Sequence, residues 1–199
     1  MGHSRLEKSE SHDRILDVAV AQFKGRGFNG IGLAELMEHA GLTHGAFYKH
    51  FASRDSLVTE SVFHAFAQDR VRFAHRLEKV TGDRLAAHID DYLTTAHRDE
   101  RPRGCSMVAL GSEISRAGDD VKAAFQEHFQ VRCEWLANEL GGPKAEAKRH
   151  ALTIMSAMVG ALTVARAMAD PALSESILDS ARKEIKALAK RLRSELRGG

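Results

Sequence analysis

The chain reads as an all-α protein in which three short helices form a helix-turn-helix unit and a larger helical domain follows. Three observations predict this. The 199 residues are rich in Ala, Leu, Glu, Lys and Arg with three prolines, a composition suited to long helices. Apolar residues recur at helical spacing between glycine and proline marks. No run shows the strict apolar–polar alternation of a strand.

The elements follow in order. Ile15, Leu16, Ala19, Val20 and Phe23 make a first stripe, ended by the glycines of Gly25 to Gly27. Leu33, Leu36, Met37 and Ala40 make a second, ended by Gly41. The third element is THGAFYKHF, Thr43 to Phe51. Ser53 is a suitable N-cap with Asp55 in the first turn, and it opens a longer helix to about Glu78. Beyond it, helices are expected near 83–98, 105–116, 120–140, 144–169 and 174–196, with Pro102, Pro143 and Pro171 at the breaks. The change from short to long helices near residue 53 divides the chain into a helix-turn-helix unit, 1–53, and a larger domain, 54–199, with the helix after Ser53 touching both.

Composition narrows the function. Two cysteines, Cys105 and Cys133, and no charged-then-apolar leader point to a reduced, cytoplasmic protein. The longest apolar run, Ala151 to Ala169, contains Arg166 and is diluted by Ser, Thr and Gly, so a buried helix is expected and no membrane span. A net charge of +2 leaves any nucleic-acid contact to a local patch. It also argues against a protein that coats DNA without sequence preference. No glycine-rich phosphate loop, nucleophile triad or spaced carboxylate pair is present, so neither catalysis nor a cofactor is expected; a small helical enzyme is the rival of another class. His88, Asp91, Tyr92 and His97 lie near one another in sequence, but no second cluster completes a metal site.

The third element carries the chemistry. At about 100° per residue, His44, Gly45, Tyr48 and Lys49 fall within an arc of about 140°, while Phe47 and Phe51 share another. One face can pack while the other stays free. Thr43 can start the helix and offer a hydroxyl or amide to a phosphate. Gly45 clears the approach to base edges, Tyr48 offers a hydroxyl or a ring, and Lys49, His50 and Arg54 are phosphate partners. Spacing alone also fits a small helical subdomain with a solvated Tyr and Lys.

The segment from Ile15 to Leu57 resembles the DNA-binding domain of the TetR family of transcriptional regulators. The likeness lies in Phe23, Gly27-Phe28, the Ala40-Gly41-Leu42-Thr43 turn, Gly45, Phe47-Tyr48, His50-Phe51 and Ser53-Arg54-Asp55 with Leu57. It implies double-stranded operator DNA as partner, with Gly32, Thr43, His44, Gly45, Tyr48, Lys49, His50 and Arg54 as contacts and His44, Gly45 and Tyr48 nearest the bases. Two departures stand out. Ile31-Gly32 replaces the family's usual Thr followed by Ser or Thr, which keeps backbone amides available but loses a hydroxyl. Arg54 replaces the commoner Lys, and it can hold a phosphate bidentately.

The resemblance also implies a homodimer formed through the last two helices. Candidate interface residues are Leu152, Met155, Val159 and Leu162 on one and Ile185, Leu188 and Leu192 on the other, although the same stripes suit an intramolecular core. Two readers one helical turn apart, about 34–36 Å, imply a palindromic operator. A cavity for an apolar small-molecule inducer is implied among the middle helices, with Phe66, Tyr92, Cys105, Met107, Phe129 and Met158 as candidate lining. The Gly104-Cys105 segment resembles one found in a branch of the family that includes electrophile sensors, and Arg101 and Arg103 place positive charge just before the sulfur. The alternative is that Cys105 packs under the cavity.

Overall fold

The computed structural model describes the backbone of residues 2–198 and the side chains of residues 7–196. Among the described residues there are helices and turns and no strand. Helix α1 spans Gly2–Arg26 and α2 spans Leu33–His39. A 3-10 turn, His44–Lys49, comes next, and α3 runs from Arg54 to Glu78. Then come α4 (Arg84–Tyr92), α5 (Thr95–Asp99), α6 (Ser106–Ile114), α7 (Asp119–Leu140), α8 (Lys144–Ala167) and α9 (Pro171–Gly198).

Local chemistry accounts for most of these limits. The stripe Ile15, Leu16, Ala19, Val20 and Phe23 is buried, and Gly27 closes α1 with φ +79°, a conformation open to glycine. Gly41, at φ +70°, ends α2 while Leu42 N–H reaches back to the Met37 carbonyl at 2.9 Å, as in a Schellman stop. Ser53 caps α3 in a reciprocal box with Ser56. Pro171 opens α9 at a position where the missing N–H costs nothing.

Two expectations are corrected. The third element is not an α-helix over its length: residues His44–Lys49 form a 3-10 helix, with Ala46 N–H on the Thr43 carbonyl at 2.9 Å, and only Phe51 bonds four residues back. The single helix expected over 83–98 is two. Leu93 is fully buried in a non-helical conformation, and the Thr94 hydroxyl accepts from His97 N–H at 3.1 Å, capping α5 afresh.

One contiguous core runs from Ile15 to Leu196. α3 packs on α1, α6 and α7, and α8 lies between α7 and α9. By length and composition α8 could cross a membrane; here Ala151, Ile154, Met155, Met158, Leu162 and Ala165 face the core.

Candidate functional site

The reading element is held from behind. Phe47 and Phe51 are buried and stacked, with centroids 5.5 Å apart, which anchors the 3-10 turn to α1 and α2. Thr43, His44, Gly45, Tyr48 and Lys49 are exposed, and the Tyr48 ring is 66% accessible. His44 and Tyr48 meet edge to face at 6.2 Å. Thr43 stands exposed at the N-cap, and its hydroxyl bonds no backbone amide there. Gly32 holds the same position on α2, exposed and without a side-chain cap.

Two of the expected phosphate contacts are otherwise engaged. The Arg54 guanidinium donates to the carbonyls of Phe28 at 2.5 Å and Ile31 at 2.8 Å, tying the start of α3 to the loop between α1 and α2. Those carbonyls lie in the loop after α1, and the two N–H groups of Nη2 satisfy both. His50 turns toward α1, its ring 6.0 Å from His12, with Nδ1 buried and unpartnered. Burial, then the nearby His12, Lys8 and Lys49 charges, lowers its pKa, which weakens it as a phosphate cation.

Behind this unit, a cavity of about 190 Å³ lies among α3, α4, α6 and α7. Of the candidate pocket residues, Tyr92, Cys105 and Met107 line it. Phe66, Phe129 and Met158 do not. Phe66 is buried against His128, Phe129 stacks on Phe125, and Met158 lies wholly in the α8 core. The expectation of an apolar chamber is corrected too, because Asp69, Arg72, Arg76, Asp91, His97, His128 and Arg132 share the lining. Spacing singled out Asp91 and His97 but gave no signal for Asp69, Arg72, Arg76, His128 and Arg132; their convergence depends on how α3, α4 and α7 cross.

Asp69 is the hub of one wall. It accepts the Ser106 N–H at 2.8 Å and pairs with Arg72 and with Lys24 Nζ at 3.5 Å. Burial pushes its pKa up, but Lys24, the Ser106 amide and Arg72 together outweigh burial and hold it below the usual carboxylate range. The Lys24 side chain is fully covered and also donates to the Gly104 carbonyl at 3.0 Å. A residue of the N-terminal helical unit is thereby fastened to the segment that opens α6.

Arg132 forms the opposite wall, only 6% exposed. Its guanidinium carbon stands 3.2 Å from the centre of the Phe73 ring, and Nη2 donates to His88 Nε2 at 3.1 Å. Burial lowers the Arg132 pKa to about 10, so it stays charged at neutral pH. Burial also drives the His88 pKa well below its ordinary value, leaving the ring neutral and able to accept. His97 is accounted for as well: Nε2 accepts the Cys105 N–H at 3.0 Å and Nδ1 faces the Tyr92 carbonyl at 2.8 Å. Among the described residues no group of three or more His, Cys, Asp or Glu has metal-binding geometry.

Cys105 is partly buried and caps α6. The arginines expected to act on it turn away. Arg103 is exposed and pairs with Glu100, while Arg101 reaches toward the Arg166 carbonyl at 3.5 Å. Cys133 is buried, and burial raises its thiol pKa to about 11.

The interface candidates divide as well. Met155, Leu162, Ile185 and Leu192 are buried by the chain's own helices, so they are core; Leu152 is 41% exposed, and Val159 and Leu188 are half-buried. The open face of α8 is instead Leu152, Thr153, Ser156, Ala157, Gly160 and Val164, since the crossings of α7 and α9 decide which stripe is covered.

Comparison with known proteins agrees with this architecture. Residues 15–60 match the family described as bacterial regulatory proteins, tetR family, and residues 82–183 match the C-terminal domain of LmrA/YxaF-like transcriptional regulators. The HTH-type transcriptional repressor NemR of Escherichia coli K12 is 28% identical over 105 residues, 51% of this chain and 53% of NemR, so the chain spans about half the length of that relative. The HTH-type transcriptional regulator LmrA of Bacillus subtilis 168 is 24% identical over 163 residues, covering 77% of this chain and 85% of LmrA. The fold is shared with the reduced form of E. coli NemR, at TM-score 0.75 and 22% identity over 89% of this chain and 96% of that one. A TetR regulator from Chloroflexus aurantiacus superposes with TM-score 0.76 at 23% identity, covering 90% and 93%. With a family match at its helix-turn-helix and a second across half its length, the chain belongs to the TetR family of transcriptional regulators.

Proposed function

We propose that the protein is a cytoplasmic homodimeric repressor that binds a palindromic operator and releases it when a small molecule occupies the cavity. The observation that carries this reading is the free face of Thr43, His44, Gly45, Tyr48 and Lys49, backed by buried Phe47 and Phe51. Residues 1–53 form the reader and 54–199 the sensing and dimerising part. In the dimer, α8 and α9 of the two copies pack together and hold the readers at the spacing of successive major grooves. A ligand that prefers the non-binding spacing lowers operator affinity by that preference, commonly about 1–3 kcal/mol. Lys24 supports the coupling, because it joins α1 to Asp69 on α3 and to the carbonyl of Gly104.

Selection of bound DNA from a random pool, followed by footprinting, tests the reading: a discrete palindromic site is expected. Lys49→Ala should weaken binding to that site and reduce the dependence of log K on log salt by about one per reader. Uniform coating of the DNA, or an unchanged salt slope in the variant, would overturn the assignment.

A further inference from the structure

The charges around the cavity do not cancel. Its lining holds three carboxylates, each already matched. Asp69 pairs with Lys24 and Arg72, Asp91 with Arg76 at 2.9 Å, and Glu100 with Arg103 at 3.0 Å. Arg132 is left, and among the described residues its hydrogen bond goes to neutral His88 while Phe73 covers one face. A buried guanidinium without a counter-ion is costly, and it retains several N–H donors beyond the one His88 takes.

Two more buried polar groups in the same lining are under-satisfied. The Tyr92 hydroxyl, on a residue 2% exposed, finds no nitrogen or oxygen partner among the described residues and has only the weakly bonding Cys105 thiol beside it, and Nδ1 of His128, also 2% exposed, has no partner among them. Tyr92 and Cys105 line the same cavity as Arg132. Donors left without an acceptor in a cavity are satisfied by an acceptor that enters it. Phe73 and Met107 supply the apolar part of the wall. At about 190 Å³ the space suits one ring, since a cavity of roughly 150 Å³ accommodates benzene.

We propose that this cavity takes a single-ring aromatic carboxylate, with Arg132 as its charge partner and the Tyr92 hydroxyl as a second donor to the carboxylate. The planar fork of Arg132 matches two carboxylate oxygens, and the ring lies against Phe73 and Met107. Asp69 does not repel the ligand appreciably, because two cations and an amide already hold it. The proposal rests on the ligand-responsive reading above for its biological meaning, but the binding site itself does not.

Calorimetric titration of the full-length protein with benzoate and with its neutral isostere benzamide provides the test. Benzoate is expected to bind at least about tenfold more tightly. Arg132→Met should abolish that preference, and Tyr92→Phe, which keeps the ring packing, should reduce benzoate affinity severalfold with little effect on benzamide. Equal affinity of the wild type for the two compounds, or no binding of benzoate, overturns the proposal, as does a folded Arg132→Met protein that retains the preference. Should Arg132→Met fail to fold by circular dichroism, the Tyr92→Phe result decides, and an unchanged benzoate affinity there overturns the proposal. Operator affinity is measured in parallel. Benzoate binding without operator release supports the site and counts against ligand-driven release; release by some other molecule in a protein blind to benzoate does the reverse.

Discussion

His128 shows how burial can dominate a residue's behaviour. Its ring stacks on Phe66 with centroids 4.5 Å apart and planes 14° from parallel. Burial is the main cause that lowers its pKa to about 4, with Asp69 opposing. The folded value lies below the unfolded one of about 6.5, so the unfolded chain takes up a proton first as pH falls. The stabilisation is therefore complete above about pH 6.5 and is lost between there and pH 4. Between pH 7 and pH 5 this amounts to about 2 kcal/mol. His128→Phe keeps the stack and removes the titration, so denaturant melts should show about that much less loss of stability over the same interval. An identical pH slope in the variant would exclude His128 as the source, leaving His88, His97 and His50, which are depressed in the same direction. At this scale the burial of Phe47 and Phe51 was legible from their spacing of four, because local periodicity decides it. The partners of Arg54 were not, since Phe28 and Ile31 lie more than twenty residues away and meet it only through the fold.

Among the elements, α1, α3 and α6 share a single polar junction. Lys24 comes from α1, Asp69 from α3, and the Ser106 amide and Gly104 carbonyl from the start of α6. A buried ion pair loses much solvation, so removing one partner leaves an uncompensated charge that costs more than the pair contributes. Arg72 softens the loss of Lys24 by remaining on Asp69. Lys24→Met should therefore destabilise by about 2 kcal/mol and Asp69→Asn by more, with the double variant less destabilised than the sum by at least about 1 kcal/mol. Additive effects in chemical denaturation would show that the three helices are not joined here. The helices themselves were largely readable: the expected spans 120–140 and 144–169 lie within a residue or two of α7 and α8. The break at Leu93 was not. Its neighbours look helical, and the decision came from tertiary burial of Leu93 together with a cap by Thr94.

For the whole molecule, the open face of α8 is the main feature that the chain leaves uncovered. Leu152 and Val164 are 41% and 48% exposed, with exposed Ser156, Ala157 and Gly160 between them that allow a second helix to approach closely. In the proposed dimer this face packs on its copy. Val164→Glu would bury a charge there while disturbing little within one chain. Sedimentation should then shift from dimer to monomer with the melting temperature of the chain's own fold little changed, and operator affinity should fall at least about tenfold as the two readers lose their linkage. A variant that stays dimeric would move the interface elsewhere.

By itself the sequence determined the all-α class, the order of most helices, the free face of the reader and the family. Each depends on residues three or four apart, or on glycines and caps whose effect is local. Only the tertiary structure decided that Arg54 bonds the loop after α1, that the buried stripe of α8 includes Met155 and Leu162, and that Arg132 has no ion-pair partner among the described residues in the cavity it shares with Tyr92. Those outcomes depend on how α3, α4, α7, α8 and α9 cross. Crossing angles are set by packing summed along whole helices, and no short stretch of sequence carries that sum.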